Sequence, residues 1–129
     1  MGKRKNRALL FKMVFENMFH EADQTLFFDD LDENVEETDI DYIKSLFNDI
    51  DSKKNELMDV VAKYCKEYTL DRIYKVDLAI LLVAIYELKY TDTPMQIVVN
   101  EAVELAKKYS TEKSYSYVNG VLAKVIGDN

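Results

Sequence analysis

The chain has 129 residues, of which 48% are apolar and 12% aromatic, enough to build the core of one domain. Its formal net charge is −7, and it holds only three glycines and one proline. Because β-sandwiches and barrels need many Gly- and Pro-containing turns, this composition favours helices joined by short loops. The single cysteine, Cys65, excludes an internal disulfide and a multi-cysteine zinc site.

Positive charge is concentrated at the N-terminus. Removing the five basic residues of the first twelve from the total of 17 leaves 12 basic against 24 acidic residues, a net charge of −12 from residue 13 onward. Clustered cations release counterions from nucleic acid, so the cluster is typical of a phosphate-binding arm. A solvated, frayed terminus explains the same pattern equally well. The five residues are Lys3, Arg4, Lys5, Arg7 and Lys12.

Helical periodicity organises the first half of the chain. Apolar residues spaced i, i+3, i+4, i+7 predict a first amphipathic helix over about residues 4–20 and a second one around residues 43–50. Residues 21–41 hold ten acids and no Lys or Arg, which predicts an acidic connector. A third helix is predicted from about Ser52, a plausible N-cap, to Tyr68.

The second half predicts three further helices. Residues 76–90 are apolar on nearly all sides, which is typical of a central buried helix. Thr93 as N-cap, Pro94 at the first helical position and Gln96 closing a capping box predict the next helix start. A last helix begins near Thr111 and packs Tyr115 in the core. We therefore expect an all-α fold, one compact domain over 1–129 made of two helical bundles, residues 1–69 and 70–129.

The sequence contains few residues that could form a catalytic or metal-binding site. The only histidine, His20, falls at a helix end, where it interacts with the C-terminal dipole. Glu101 and Glu104 resemble half of a carboxylate metal motif, but the Glu-x-x-His pairs of a di-iron site are missing. The three glycines are too far apart to form a phosphate loop. We expect no enzyme activity, no catalytic residue, no metal and no cofactor.

No segment predicts contact with a membrane. The longest apolar run, residues 78–86, is too short to span a bilayer, and no signal peptide is recognisable at the N-terminus. The expectation is a cytoplasmic, soluble protein.

A second basic and aromatic region lies near the C-terminus. Residues 105–126 contain four lysines and one acid, interleaved with Tyr109, Tyr115 and Tyr117. Cations on phosphates and aromatic rings under unstacked bases are what hold single-stranded RNA. The alternative is that these tyrosines are ordinary core residues, which spacing favours for Tyr109 and Tyr115. Tyr117 falls off the predicted apolar face and is the better candidate for stacking.

Three blocks of sequence resemble the NusB family of transcription antitermination factors. Residues 70–88, with Leu70-Asp71-Arg72-Ile73 and Ala84-Ile85-Tyr86-Glu87-Leu88, resemble its central block. Residues 100–107 and 118–122 are similar to two later signatures, in the same order and spacing. Residues 8–69 match only in helical layout, and the basic run at residues 3–7 stands where the family carries an arginine-rich run.

The resemblance implies a non-catalytic RNA-binding adaptor of all-α fold. Such a protein binds the boxA element of ribosomal RNA leaders as a single strand, together with a small-subunit ribosomal protein in the role called NusE. The complex joins RNA polymerase and other Nus factors. By the same resemblance, the RNA-binding residues are Lys3, Arg4, Lys5, Arg7, Phe15, Glu87, Lys113 and Tyr117.

Several positions depart from the family pattern. Lysine replaces arginine at two places in the basic run, which weakens bidentate phosphate recognition. Leu78 and Leu82 stand where the family usually has basic residues, and Lys113 stands where an acid is common. A cation in place of an anion beside RNA strengthens binding. If the site is shared, the fold must bring Lys113 and Tyr117 near Arg4 and Arg7.

Two other functions remain open. The large acidic surface favours an RNA-independent helical scaffold that docks a protein or self-associates, for example as a homodimer. The third is an auxiliary RNA-targeting domain of the kind fused to ribosomal RNA methyltransferases. It has less support, since the chain reaches Asn129 without a cofactor-binding domain.

Overall fold

The computed structural model of the chain describes residues 4–19, 37–65 and 72–127. These ranges contain helices and no strand, and the predicted all-α fold is confirmed. His20, most of the acidic connector and the predicted boundary between residues 69 and 70 lie outside the described residues. In chain order the helices are α1 (Arg4–Asn17), α2 (Glu37–Ser52), α3 (Lys54–Tyr64), α4 (Lys75–Tyr90), α5 (Met95–Tyr109) and α6 (Ser114–Gly127).

Helix α4 is the centre of the molecule, as its apolar sequence predicts. Residues 77–87 are all buried, and the helix packs against each of the other five. Burying one Leu or Ile side chain stabilises a fold by about 1.5–3 kcal/mol, so this helix dominates the core. Leu78 and Leu82 are each 1% exposed. The two positions where the family usually has basic residues are thus core positions here, out of a ligand's reach.

Two helix starts differ from their predictions. The Ser52 hydroxyl donates to the Asp49 carbonyl at 2.7 Å, and α3 begins two residues later without a side-chain cap. The predicted N-cap at Ser52 is therefore wrong. Pro94 occupies the N-cap position of α5, again without a side-chain cap, while the Thr93 hydroxyl accepts a hydrogen bond from Thr91 at 3.2 Å. The predicted capping box is absent because α5 begins at Met95, which leaves Thr93 one residue before the N-cap position.

The buried face of α6 also differs from its prediction. Tyr115 is 44% exposed, whereas Tyr117 is half-buried and packs against the core. Ser114, at 2% exposed, starts the buried stripe, so spacing by four and seven residues excludes Tyr115 from it. The residues that follow on this stripe are Val118, Val121, Leu122 and Val125.

Packing does not require a glycine at position 120, inside α6. A Cβ atom built there meets no atom within 4 Å, and the residue is exposed. Glycine in a helix costs about 0.5–1 kcal/mol relative to alanine, because its unfolded state has more conformations to lose. We expect Gly120→Ala to raise the free energy of unfolding by about that amount in urea denaturation. A decrease would mean that the space beside Gly120 is occupied.

Candidate nucleic-acid interface

Part of the N-terminal basic cluster is neutralised inside the protein. Arg7 donates from Nε and Nη2 to the two carboxylate oxygens of Glu87, both at 2.8 Å. The two side chains are 3% and 1% exposed. Hydrogen bonding to Glu87 raises the pKa of Arg7. This geometry argues against the direct RNA contacts predicted for Arg7 and Glu87, because each buried charge is already paired with the other.

The remaining cations of the cluster differ from one another. Arg4 is exposed, and its Nε lies 3.0 Å from Oε2 of Glu101, whose hydrogen bond raises the pKa of Arg4. Lys5 is exposed. Lys3 lies outside the described residues. The positive charge that the cluster presents to solvent is therefore smaller than its sequence indicates.

Two lysines flank one tyrosine where α1 meets α5. The Nζ atoms of Lys12 and Lys108 lie 5.1 and 5.3 Å from the centroid of the Tyr109 ring. Burial raises the pKa of the Tyr109 phenol, but hydrogen bonds from the two lysines outweigh it and lower that pKa overall. Both lysines are exposed, so cations and an aromatic ring share one surface.

A cavity of about 190 Å³ opens beside this tyrosine. We call it the α1–α5 cavity. Arg4 and Lys108 contribute exposed positive charge to its wall, and Glu101 and Glu104 contribute negative charge. Tyr109 supplies an aromatic wall. The cavity therefore has mixed charge and suits a ligand with both polar and aromatic groups.

A row of aromatic rings continues along α1 from this cavity. The Phe11 centroid lies 5.4 Å from that of Tyr109 and 6.3 Å from that of Phe15. Phe15 in turn meets Phe19 edge to face at 5.1 Å, and Phe19 is 60% exposed. Phe15, a predicted RNA contact, is half-buried within this row.

A second cavity, of about 280 Å³, lies between the start of α4 and the start of α6. We call it the α4–α6 cavity. Arg72 and Lys113 are exposed cations on its wall, and Tyr74, 54% exposed, and Tyr117 line it with rings. Two predicted RNA-binding residues, Lys113 and Tyr117, are thus brought together. Asp77, 6% exposed, also lines this cavity.

The turn between α5 and α6 separates the two cavities. Asp77 accepts hydrogen bonds from the hydroxyls of Ser110 at 2.5 Å and Ser114 at 3.0 Å, which ties the turn to the start of α4. Tyr109 lines one cavity and Thr111 the other, so the cavities are neighbours on the surface. The predicted convergence is therefore only partial: Lys113 and Tyr117 do not line the same cavity as Arg4 and Arg7.

Glu101, Glu104 and Cys65 have roles in the fold that do not involve a metal. Glu101 pairs with Arg4, and Glu104 lies 3.8 Å from Lys107. In the described part of the chain, no group of three or more His, Cys, Asp or Glu residues could hold a metal ion. Cys65 is buried in the core, and this burial raises the pKa of its thiol.

The predicted site omitted residues that the fold adds to it. Lys12 and Lys108 were recognisable as cations, but nothing in the sequence places them on the same tyrosine ring. Arg72 and Tyr74 belong to the short connection before α4, and the family-like block 70–88 contains them. Their side chains could have been singled out as a cation and an aromatic ring next to Asp77, the acid in the first turn of α4.

Comparisons with known proteins are consistent with this fold. A family model described as the NusB family matches residues 4–127. The chain is 39% identical to the transcription antitermination protein NusB of Lachnoclostridium phytofermentans, over 98% of this chain and 99% of that protein. It is also 39% identical to that of Acetivibrio thermocellus, over 98% and 89%. The NusB of Finegoldia magna is 36% identical, over 98% and 94%.

Solved structures are similar as well. T. maritima NusB superposes with a TM-score of 0.89 at 28% identity, covering 100% of this chain and 93% of that one. A chain in the crystal structure of a plectonemic RNA supercoil gives a TM-score of 0.85 at 22% identity, covering 97% and 94%. At that identity the second similarity concerns the fold alone. Among the described residues no helix is both long and apolar enough to cross a membrane.

Proposed function

The chain belongs to the NusB family of non-enzymatic transcription antitermination proteins, and we propose that it acts by binding boxA-type single-stranded RNA in ribosomal RNA leaders. In this role it pairs with a small-subunit ribosomal protein acting as NusE and joins RNA polymerase and other Nus factors. Because it would act on nascent RNA, we also propose that it is cytoplasmic. The RNA contacts are assigned to the surface that runs from the α1–α5 cavity over the α5–α6 turn to the α4–α6 cavity.

One observation carries this proposal: exposed cations lie beside tyrosine rings on both sides of the α5–α6 turn, in a chain whose net charge is −7. Lys12 and Lys108 flank Tyr109 on one side of the turn, and Lys113 lies with Tyr117 on the other. Single-stranded RNA needs both elements, because its phosphates are anionic and its bases offer a flat face for stacking. The acidic remainder of the chain repels RNA and confines it to this surface.

We propose revised contributions for the predicted RNA-binding residues. Lys3, Lys5, Lys113 and Tyr117 remain proposed contacts, and Lys12 and Lys108 join them. Arg7 and Glu87 are proposed to hold α1 in place on α4, as a buried pair that connects these helices. Arg4 and Phe15 remain proposed contacts at the edge of the α1–α5 cavity and along the aromatic row.

The salt dependence of RNA binding tests the assignment of the cations. We expect Lys108→Glu to flatten the slope of log affinity against log salt by about 0.7 per lost phosphate contact, measured by fluorescence anisotropy with a boxA-type leader RNA. Lys63→Glu is the matched control: this exposed lysine also lies over a tyrosine ring, at 5.2 Å from Tyr64, but on α3. Equal slopes for the two variants would contradict the proposed surface.

Binding measurements with the same leader RNA and the ribosomal protein distinguish the RNA-binding function from the scaffold alternative. We expect the wild-type chain to bind the leader RNA more tightly than a scrambled sequence, and the ribosomal protein to raise that affinity. Capture of the ribosomal protein without any effect of RNA would instead favour an RNA-independent scaffold or a self-associating adaptor. Sedimentation of the chain alone decides whether it is a homodimer.

A further inference from the structure

The α4–α6 cavity contains an acid that phosphate binding does not explain. Asp77 lines the cavity at 6% exposure, while the cations Arg72 and Lys113 on the same wall are exposed. A carboxylate close to a phosphate repels it, so a site built only for the RNA backbone would gain nothing from this acid. The charges are layered instead, with the acid inside and the cations at the rim.

The hydrogen bonds of Asp77 leave capacity for a ligand. Ser110 donates to Oδ1 and Ser114 donates to Oδ2. Each carboxylate oxygen has two lone pairs, so each can accept one further hydrogen bond. The Asp77 end of the cavity is therefore rich in acceptors, and a ligand that fills it must bring donors.

Relying on the RNA binding proposed above, we infer that the α4–α6 cavity receives one nucleotide of the bound strand and prefers guanine. Asp77 accepts hydrogen bonds from N1–H and from the N2 amino group of the base. The ring of Tyr117 lies against the base face. Lys113 and Arg72 at the rim neutralise the flanking phosphates.

The chemistry of the bases favours guanine over the other three. Its N1–H and N2 amino group are adjacent donors on one edge, so they match the two oxygens of one carboxylate. Adenine and cytosine each offer a single amino group on that edge, and uracil flanks its one N–H with carbonyl oxygens that repel a carboxylate. At about 280 Å³ the cavity is near the lower end for ligand pockets, which suits one nucleotide rather than several.

Changes made to the RNA alone test this inference without disturbing the protein. The probes are short oligouridylates that carry one central guanosine, inosine, adenosine, cytidine or uridine, measured by fluorescence anisotropy with the full chain. Inosine lacks only the N2 amino group, so we expect it to bind at least about fivefold more weakly than guanosine. Equal affinity for guanosine and inosine would overturn the guanine preference and leave the proposed function intact. No binding to any oligonucleotide would overturn both.

A protein variant and a free nucleotide complete the test. Asp77→Asn replaces one acceptor oxygen with a donor, so we expect the preference for guanosine over inosine to disappear while binding of plain oligouridylate persists. Asp92→Asn, at an exposed aspartate beyond α4, should keep the preference. A merely structural Asp77 would instead lower affinity for all probes together. Displacement of the strand by guanosine monophosphate at concentrations equal to the strand's own would assign the cavity to a free nucleotide and overturn the assignment to RNA.

Discussion

Replacing Glu87 with alanine is expected to lower the free energy of unfolding by about 3–5 kcal/mol. The reason is that Arg7 would stay 3% exposed without the carboxylate that accepts its two 2.8 Å hydrogen bonds. An uncompensated buried charge costs far more than the pair contributes. Urea denaturation followed by circular dichroism measures the change.

A second arginine on α1 supplies the matched control. Arg4, one turn earlier, also bridges to a glutamate of another helix, but its side chain is 75% exposed. Arg4→Ala should therefore cost only a small fraction of what Glu87→Ala costs, because exposed ion pairs contribute little to stability. The double variant Arg7→Met/Glu87→Leu should recover most of the stability, because it removes both charges and fills the space. If Glu87→Ala costs no more than Arg4→Ala, the buried pair does not hold α1 on α4.

This result bears on how RNA binding is interpreted. The pair joins α1 to α4, and the exposed Lys12 depends on the position of α1. A loss of RNA affinity in an Arg7 variant would then come from displacement of α1 and its surface lysines. Stability and affinity must be measured together at any position in this pair.

Replacing Tyr117 with alanine is expected to weaken binding of single-stranded RNA by about 1–3 kcal/mol, or roughly 5- to 150-fold. Tyr117 lines the α4–α6 cavity beside Lys113, where its ring can support a base. Stacking on an aromatic ring is worth about that much per base and tolerates any base. Fluorescence anisotropy with oligouridylate at fixed salt measures the loss.

Two further tyrosine variants separate stacking from packing. Tyr117→Phe keeps the ring and should retain most of the affinity. Tyr115→Ala removes an exposed tyrosine two residues away on the same helix, outside the α4–α6 cavity lining. It should leave RNA binding nearly unchanged. Equal losses for Tyr115→Ala and Tyr117→Ala would argue against a stacking role at Tyr117, provided that thermal unfolding finds both variants folded.

The helices were predictable because their signal is local. Apolar spacing of three and four residues located α1 and α2, and the continuous apolar run located α4. The predictions failed at helix starts and at the buried face of α6, where a single hydrogen bond or a shift of one residue decides the outcome. Ser52 bonds back to the Asp49 carbonyl and does not cap α3. The spacing predicted Tyr115 in the core, but the buried stripe of α6 starts one residue earlier, at Ser114.

The candidate site was only partly predictable from the sequence. Arg7 shares the stripe of Leu10, Phe11 and Val14, so its burial was recognisable from spacing. Glu87 lies in the largely apolar, buried part of α4, so its carboxylate needed a cation as partner. Nothing local identifies that partner, since the two residues are 80 positions apart.

By itself, the sequence determined the fold class, the central position of α4 and the family, because these follow from periodicity, composition and short motifs. Only the tertiary structure decided which cations remain at the surface. It buries Arg7 on Glu87, pairs the exposed Arg4 with Glu101, and gathers Lys12 and Lys108 on Tyr109. The physical reason is that a side-chain charge is neutralised by groups close to it in space. Those groups are often distant in the chain, and only tertiary packing brings them together.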